Sequence, residues 1–298
     1  MDNGRLRIGE FSERVGVTPD LLRAWERRYG LLQPERSSGG FRLYTREDIE
    51  RVERMRELLD GGLSAAEAAR QAIEEQQSPA QPIGVPARPA DPDVLEQSAE
   101  QLVSALERFN EPAAQEIIDT LVATWGIEVV MRDVLMPVMV RIGERWEEGT
   151  LTVGQEHFAA GLVRGRLLSL ARGWGQGIGP RAILATPPGE DHDLGLVAFG
   201  LALWRRGWSI SLLGANTPAD AIVAAVEQLT PDALVLSAVK RERLLAIEAA
   251  IAEVGRRVPV AIGGHGADDH VAETLGAIHL AGDVVTAAQQ LSDLHASR

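Results

Sequence analysis

The chain of 298 residues has no cysteine, a single lysine (Lys240) and only two tyrosines. Without cysteine it has no disulfides, no thiolate metal centre and no cysteine nucleophile. No apolar run reaches the length that crosses a bilayer. The N-terminus, MDNGRLRIGEFSERVG, lacks the apolar stretch of a secretory signal, so a cytoplasmic protein with no membrane association is expected. Apolar residues make up 45% of the chain, enough for a sizeable core without covalent staples. The length suits two or three domains.

The net charge of −13 argues against nucleic acid as a partner only when taken over the whole chain. Residues 1–77 hold 13 arginines against 15 acids, a net of −2, and the remainder carries −11. Between Arg23 and Arg46 six arginines face only Glu26 and Glu35. A phosphate-binding surface needs only such a local positive field, because salt screens charges beyond about 10 Å.

Three segments and a linker follow from the patterning. In residues 1–77, Thr18 stands where it can cap a helix whose first residue is Pro19. Leu21, Leu22 and Trp25 form its apolar stripe, and Gly30 stops it. RSSGGFRLYT reads as a hairpin, and TREDIERVERMRELLDGG as a helix with Ile49, Val52, Met55, Leu58 and Leu59 on one face. Residues 78–92 contain five prolines and read as an extended linker. Residues 93–177 contain four amphipathic runs, which suit a four-helix bundle. Residues 178–298 alternate short apolar runs (RAILAT, WSISLLG, ALVLSAV, VPVAIGG, AIHLAG) with helical ones. That alternation implies right-handed βαβ units in a flavodoxin-like, five-stranded parallel sheet. Ligands of such sheets bind beyond the carboxyl ends of the strands.

His192 stands on that edge, in GEDHDLG after the first strand. A neutral imidazole is a good ligand for a transition metal. Glu190 is placed to accept a hydrogen bond from its other ring nitrogen, which fixes the tautomer and strengthens donation. Gly195 opens the next helix and lets a flat ligand approach the backbone. One histidine cannot hold bare zinc, but it can hold a metal already caged in a macrocycle. On residue type alone, a polar loop histidine with no partner remains the other reading. His265, His270, His279 and His295 read as surface residues, and Pro187-Pro188-Gly189 as a turn.

Glu190-x-His192-x-x-Gly195, then Ser237-x-Val239, then Gly263-Gly264, resembles the signature of cobalamin-binding domains. The resemblance implies that His192 is the lower axial ligand of cobalt and that Ser237, Gly263 and Gly264 line the displaced benzimidazole tail. Val239 stands where the family has leucine. Trp146, nine residues, then Glu156-His157 resembles the helical-bundle motif that binds 5′-deoxyadenosylcobalamin, with all three residues at the adenosyl group. Taken alone, Trp146 also fits core packing.

Residues 7–52 resemble a MerR-type winged helix-turn-helix over nearly its whole length. That resemblance implies that the helix at Thr18–Tyr29 enters the major groove of double-stranded operator DNA. Arg23, Arg27, Arg28 and Tyr29 are the expected contacts there, with Arg36, Arg42 and Tyr44 on the wing. Trp25 is expected in the core.

In series, these parts resemble the CarH/LitR-type light-dependent transcriptional repressors. The resemblance implies a regulator rather than an enzyme. In the dark it would hold adenosylcobalamin, assemble as a homotetramer and occupy its operator. Light would break the cobalt–carbon bond, shift the bundle and dissolve the assembly. One departure stands out: family members carry a histidine directly after the bundle tryptophan, and here that residue is Glu147. A sensor of cobalamin supply, or of its upper ligand, is therefore the alternative regulator. A corrinoid carrier shares the two C-terminal parts but has no use for the DNA-binding head.

Overall fold

The computed structural model describes residues 6–36, 40–60, 64–77, 91–171, 173–176 and 179–297. They fall into two compact units, Met1–Gly84 and Val85–Arg298.

In the first unit, helices α1 (Ile8–Val15) and α2 (Pro19–Tyr29) are joined through Gly16, whose φ of 63° suits a residue without a side chain. Phe11, Val15, Leu22 and Trp25 are buried between them. Full burial of a side chain the size of Leu22 stabilises by about 1.5–3 kcal/mol. Two local expectations fail. Leu21 is 44% exposed, so the apolar stripe of α2 is narrower than its spelling. Thr18 occupies the cap position, but its side chain makes no capping hydrogen bond; α2 starts on Pro19, which has no N–H to leave unpaired. Strands β1 (Glu35–Arg36) and β2 (Arg42–Leu43) form the antiparallel wing. Helices α3 (Arg46–Asp60) and α4 (Ala65–Gln77) complete the unit. Asp48, 1% exposed, anchors the start of α3 by accepting from the Thr45 and Gln33 N–H groups at 3.0 and 3.1 Å.

Linker residues 78–90 lie outside the described residues. The last two linker positions belong to a helix instead. Asp91 caps α5 (Pro92–Glu107) by accepting from the Asp93 N–H at 3.1 Å, and Pro92 fills the first helical position.

The second unit opens with the bundle. α5 is followed by α6 (Glu111–Trp125), capped by Asn110. The third bundle rod is not a uniform helix. α7 (Ile127–Val130) passes through a π-helical turn, Met131–Leu135, into α8 (Met136–Glu147). Pro137 lies just beyond that turn; proline lacks the helix donor and crowds the carbonyl four residues back, which the widened turn relieves. α9 (Val153–Leu170) begins with a reciprocal cap between Thr152 and Gln155, and the Gln155 side chain donates to the Glu107 carbonyl at 2.8 Å.

A short turn at Trp174–Gln176 leads to β3 (Arg181–Ala185), α10 (Leu194–Trp204), β4 (Ser209–Gly214), α11 (Ala219–Leu229) and β5 (Ala233–Ser237). Then come α12 (Arg241–Leu245), α13 (Glu248–Gly255), β6 (Val260–Gly263), α14 (Asp269–Leu275), β7 (Ile278–His279) and α15 (Val284–Ala296). The run RERLLAIEAAIAEVGRR forms two helices, α12 and α13, and α15 follows the last strand. The five strands are all parallel, in the order β4-β3-β5-β6-β7. This is the flavodoxin-like order, with its switch point beside β3.

The period of two along β3 separates the core into two faces. Ile183 and Ala185 pack with Ile222 of α11 and Ile251 of α13. Ala182 and Leu184 pack with α10 and with bundle residues such as Leu162 and Val163 in one continuous core. α10 is therefore covered on all sides, and residues Leu196–Leu203 are buried throughout. Its sequence, LGLVAFGLALW, is correspondingly apolar all round.

Candidate functional site

The loop after β3 is held rigidly before any side chain points outward. The Thr186 hydroxyl donates to the Glu190 carbonyl at 2.5 Å, and the Asn216 N–H donates to the same carbonyl at 2.8 Å. Asn216, with φ 51°, also accepts from the Gly189 N–H at 2.7 Å. Gly189 does more than turn the chain: at φ 77°, a Cβ there would lie 2.3 Å from the Arg243 guanidinium.

Within this frame Glu190 is 3% exposed and fully engaged. Its Oε1 accepts from the His192 N–H at 3.1 Å and from His192 Nδ1 at 2.5 Å. Its Oε2 accepts from the Val239 N–H at 2.8 Å. Burial pushes this carboxyl upward, but the bonds from the His192 ring, the Val239 N–H and the His192 N–H outweigh it and hold it below the usual range. An ionised carboxylate only accepts, so Nδ1 carries the hydrogen, and a neutral ring then has its lone pair on Nε2. The His192 side chain is 67% exposed. The geometry is that of an imidazole with one nitrogen fixed and the other offered to a ligand.

The neighbouring positions differ in what they contribute. A Cβ at Gly195 would meet nothing within 4 Å, so the backbone at the start of α10 faces open space. Gly264, at φ 86°, is dictated by the chain itself: a Cβ there would fall 2.5 Å from the Ala238 carbonyl and 2.8 Å from the Ser237 hydroxyl. Gly263 pairs with Ser237 across β5 and β6. Val239 is 42% exposed beside its bond to Glu190. No group of three or more potential metal-ligating side chains occurs among the described residues. The donor set therefore fits a metal that brings its own equatorial cage and needs one axial nitrogen, as a corrin does.

On the bundle, Trp146 near the end of α8 is 44% exposed, too open for a core residue, and Glu147 beside it is exposed. His157 on α9 is 75% exposed, with Nε2 3.6 Å from Glu156 Oε2. Two histidines read as surface residues are engaged instead: His279 bonds Asp269 at 2.7 Å, and His295 packs edge-on against Trp208.

In the first unit, Arg23, Arg27 and Arg28 are exposed along α2, and Tyr29 is half-buried with the Arg28 guanidinium 5.8 Å from its ring centre. Arg23 is paired with Asp20 at 3.1 Å. Arg42 is bonded to Glu26 of α2 at 3.0 Å, and its pKa is raised by that contact. The side chain of Arg36 lies outside the described residues. Tyr44 does not present itself to DNA. It is 0% exposed, stacks on Phe11 at 4.4 Å and donates its hydroxyl to Glu26 at 3.3 Å. Burial first, then the Glu26 charge, pushes its phenol up to about 12. The wing is thus pinned to the helix through Glu26.

Residues 6–72 match the MerR HTH regulatory protein family, and residues 98–170 and 180–291 each match a B12 binding domain family. The HTH-type transcriptional repressor CarH of Myxococcus xanthus is 35% identical over 273 residues, covering 89% of this chain and 91% of the relative. CarA of the same organism is 34% identical over 89% of this chain and 88% of its own length. The chain belongs to the CarH/CarA family of HTH-type transcriptional repressors. As a member of that family it is a cobalamin-dependent transcriptional regulator and not an enzyme. It binds DNA through its MerR-type unit and cobalamin through its bundle and sheet. No helix among the described residues is long and apolar enough to cross a membrane. A solved monomethylamine corrinoid protein of Methanosarcina barkeri shares the fold, with a TM-score of 0.54 at 19% identity, over 67% of this chain and 99% of that one.

Three features of this CarH/CarA-type site escape sequence reasoning. Asn216 locks the histidine loop from 27 residues beyond Gly189, and nothing in NTP announces it. Glu190 bonds the Val239 N–H, a backbone contact that spelling does not record. Asp193, at an unspecified position of the motif, is 6% exposed and gripped by Arg164 of α9.

Proposed function

We propose that the protein is a light-responsive, adenosylcobalamin-dependent repressor that works as a homo-oligomer, a tetramer in the dark, in the cytoplasm. The observation that carries the reading is the His192 imidazole, fixed at Nδ1 by a buried, ionised Glu190 and open at Nε2. In this reading His192 Nε2 is the lower axial donor to cobalt. Glu190 keeps the hydrogen on Nδ1 and holds the ring in place. Gly195, Ser237, Val239, Gly263 and Gly264 border the cofactor's lower face and tail. Trp146, Glu156 and His157 attend the adenosyl group: an indole offers an apolar wall, and a carboxylate can hold ribose hydroxyls.

When bound, adenosylcobalamin supplies a cobalt–carbon bond that green light breaks. The chain's contribution is to make assembly depend on the adenosyl side of the bundle. A single DNA-binding head holds an operator weakly, and several heads tethered in one assembly bind far more strongly through effective concentration. For the switch to operate, the ligand must prefer the assembled state by several kcal/mol. Arg23, Arg27, Arg28, Tyr29, Arg36 and Arg42 are the proposed DNA contacts; most of them set register on phosphate.

Size-exclusion chromatography of the adenosylcobalamin-loaded protein before and after green light tests this reading, with an operator mobility shift in parallel. A larger dark species that shrinks and releases DNA on illumination supports it. A size and DNA affinity indifferent to light favour the second reading, a sensor of cobalamin supply, which Glu147 in place of the family histidine specifically recommends.

A further inference from the structure

We propose that Arg164 is a positioning residue for His192: through Asp193 it ties bundle helix α9 to the loop that carries the axial ligand. Asp193 directly follows His192 and stands at the start of α10. Arg164 grips it with both faces of the guanidinium fork: Nε donates to Oδ1 and Oδ2 at 2.9 and 3.1 Å, and the terminal nitrogen donates to Oδ2 at 2.7 Å. The Asp193 side chain is 7% exposed, so the pair is shielded from solvent on the carboxylate side. The bond with Asp193 raises the Arg164 pKa.

Around this pair the contact between bundle and sheet is apolar. Leu162, Val163 and Leu167 share one core with Leu196, Val197 and Leu201. Such burial is strong but non-directional, and it tolerates a small slide. A bidentate arginine–carboxylate pair adds what the core lacks, a defined register. A second polar tie sits at the opposite end of α10, where Arg206 bonds Glu128 at 2.8 Å and Gln289 at 2.9 Å, away from the ligand loop. α9 also carries Glu156 and His157. His157 and Arg164 are seven residues apart, two turns, and so lie on nearly the same face of one rigid helix. A displacement at the upper end of α9 is thereby delivered to the residue next to His192, and a change at His192 is delivered back to the bundle.

The proposal rests on His192 being the axial ligand, and the experiment separates the two. Full-length wild type, Arg164→Ala, Arg164→Lys and His192→Ala are compared in the dark. Each is titrated with adenosylcobalamin, its absorption spectrum is read for the axial nitrogen, and amide hydrogen exchange over residues 189–194 is measured in the apo-protein. Arg164→Ala is expected to weaken binding about tenfold, to lower the histidine-ligated fraction and to speed exchange in that loop; Arg164→Lys is expected to recover part of each. Wild-type binding, spectrum and loop exchange in Arg164→Ala overturn the proposal. If Arg164→Ala does not fold, the same three readouts in Arg164→Lys decide, with wild-type values overturning it. If His192→Ala binds as well as wild type, the axial reading fails by itself. The apo exchange then still decides the tie: faster exchange supports it and unchanged exchange overturns it.

Discussion

Replacing Glu190 by glutamine changes one oxygen to an NH2 group with almost no change in shape, and the consequence follows from the three bonds at that carboxylate. Its oxygens receive the His192 N–H, His192 Nδ1 and the Val239 N–H at 3.1, 2.5 and 2.8 Å. A carboxamide has one oxygen and cannot serve both sides. If that oxygen turns to Val239, the NH2 faces Nδ1, and the ring must move its hydrogen to Nε2, where it blocks the lone pair. If the oxygen turns to His192, the NH2 opposes the part-buried Val239 N–H, which costs up to about 1–3 kcal/mol for the unpaired donor. Either way the ligating tautomer is penalised. Loss of a group that orients a metal-binding histidine typically costs about 10–100-fold in affinity, or about 1.4–2.8 kcal/mol. Titration of Glu190→Gln with adenosylcobalamin in the dark, followed by absorbance, is the assay. A dissociation constant within twofold of wild type, with the histidine-ligated spectrum intact, refutes the reasoning.

Tyr44→Phe is expected to leave operator affinity within twofold while lowering the stability of the first unit by about 1 kcal/mol, the value of a typical hydrogen bond; melting curves and mobility shifts separate the two. The phenol's contribution is complete below pH 10 and fades as pH rises toward about 12, so the wild-type advantage over Tyr44→Phe should shrink across that window. Arg27→Ala and Arg28→Ala should each weaken DNA binding across sequences and lower the salt slope by about one, if each meets a phosphate. Asp283 accepts from the Thr286 hydroxyl and from the Val285 and Thr286 N–H groups at the start of α15. Burial pushes its carboxyl up, but these bonds and Arg132 hold it below 3.8. Asp283→Ala should cost about 0.5–2 kcal/mol near neutrality, a difference that disappears as pH falls below 3.8.

Much of this molecule is legible in its spelling because the deciding signals are local. The five strands are short apolar runs, and α10 is apolar on every side because sheet and bundle both cover it. The Glu190–His192 contact spans two residues and follows from the motif. What escapes depends on partners remote in sequence. Phe41 and Tyr44 read alike in the hairpin, yet Phe41 is 56% exposed and Tyr44 is buried, because Leu6 bridges to Tyr44 and Phe11 stacks on it. Arg164 and Asp193 are 29 residues apart, one on bundle helix α9 and the other at the start of α10. The widened turn at Met131–Leu135 reflects Pro137 in a helix that packing keeps continuous, which periodicity alone cannot see.

The most direct measurement is electron paramagnetic resonance of the protein loaded with cobalt(II) cobalamin, its histidines labelled with the heavy, spin-one-half nitrogen isotope. If His192 Nε2 is the axial donor, the nitrogen splitting on each cobalt line changes from a triplet to a doublet, and the doublet is lost in His192→Ala. A triplet that persists in the labelled protein means that the cofactor's own benzimidazole still holds the metal, and contradicts the account.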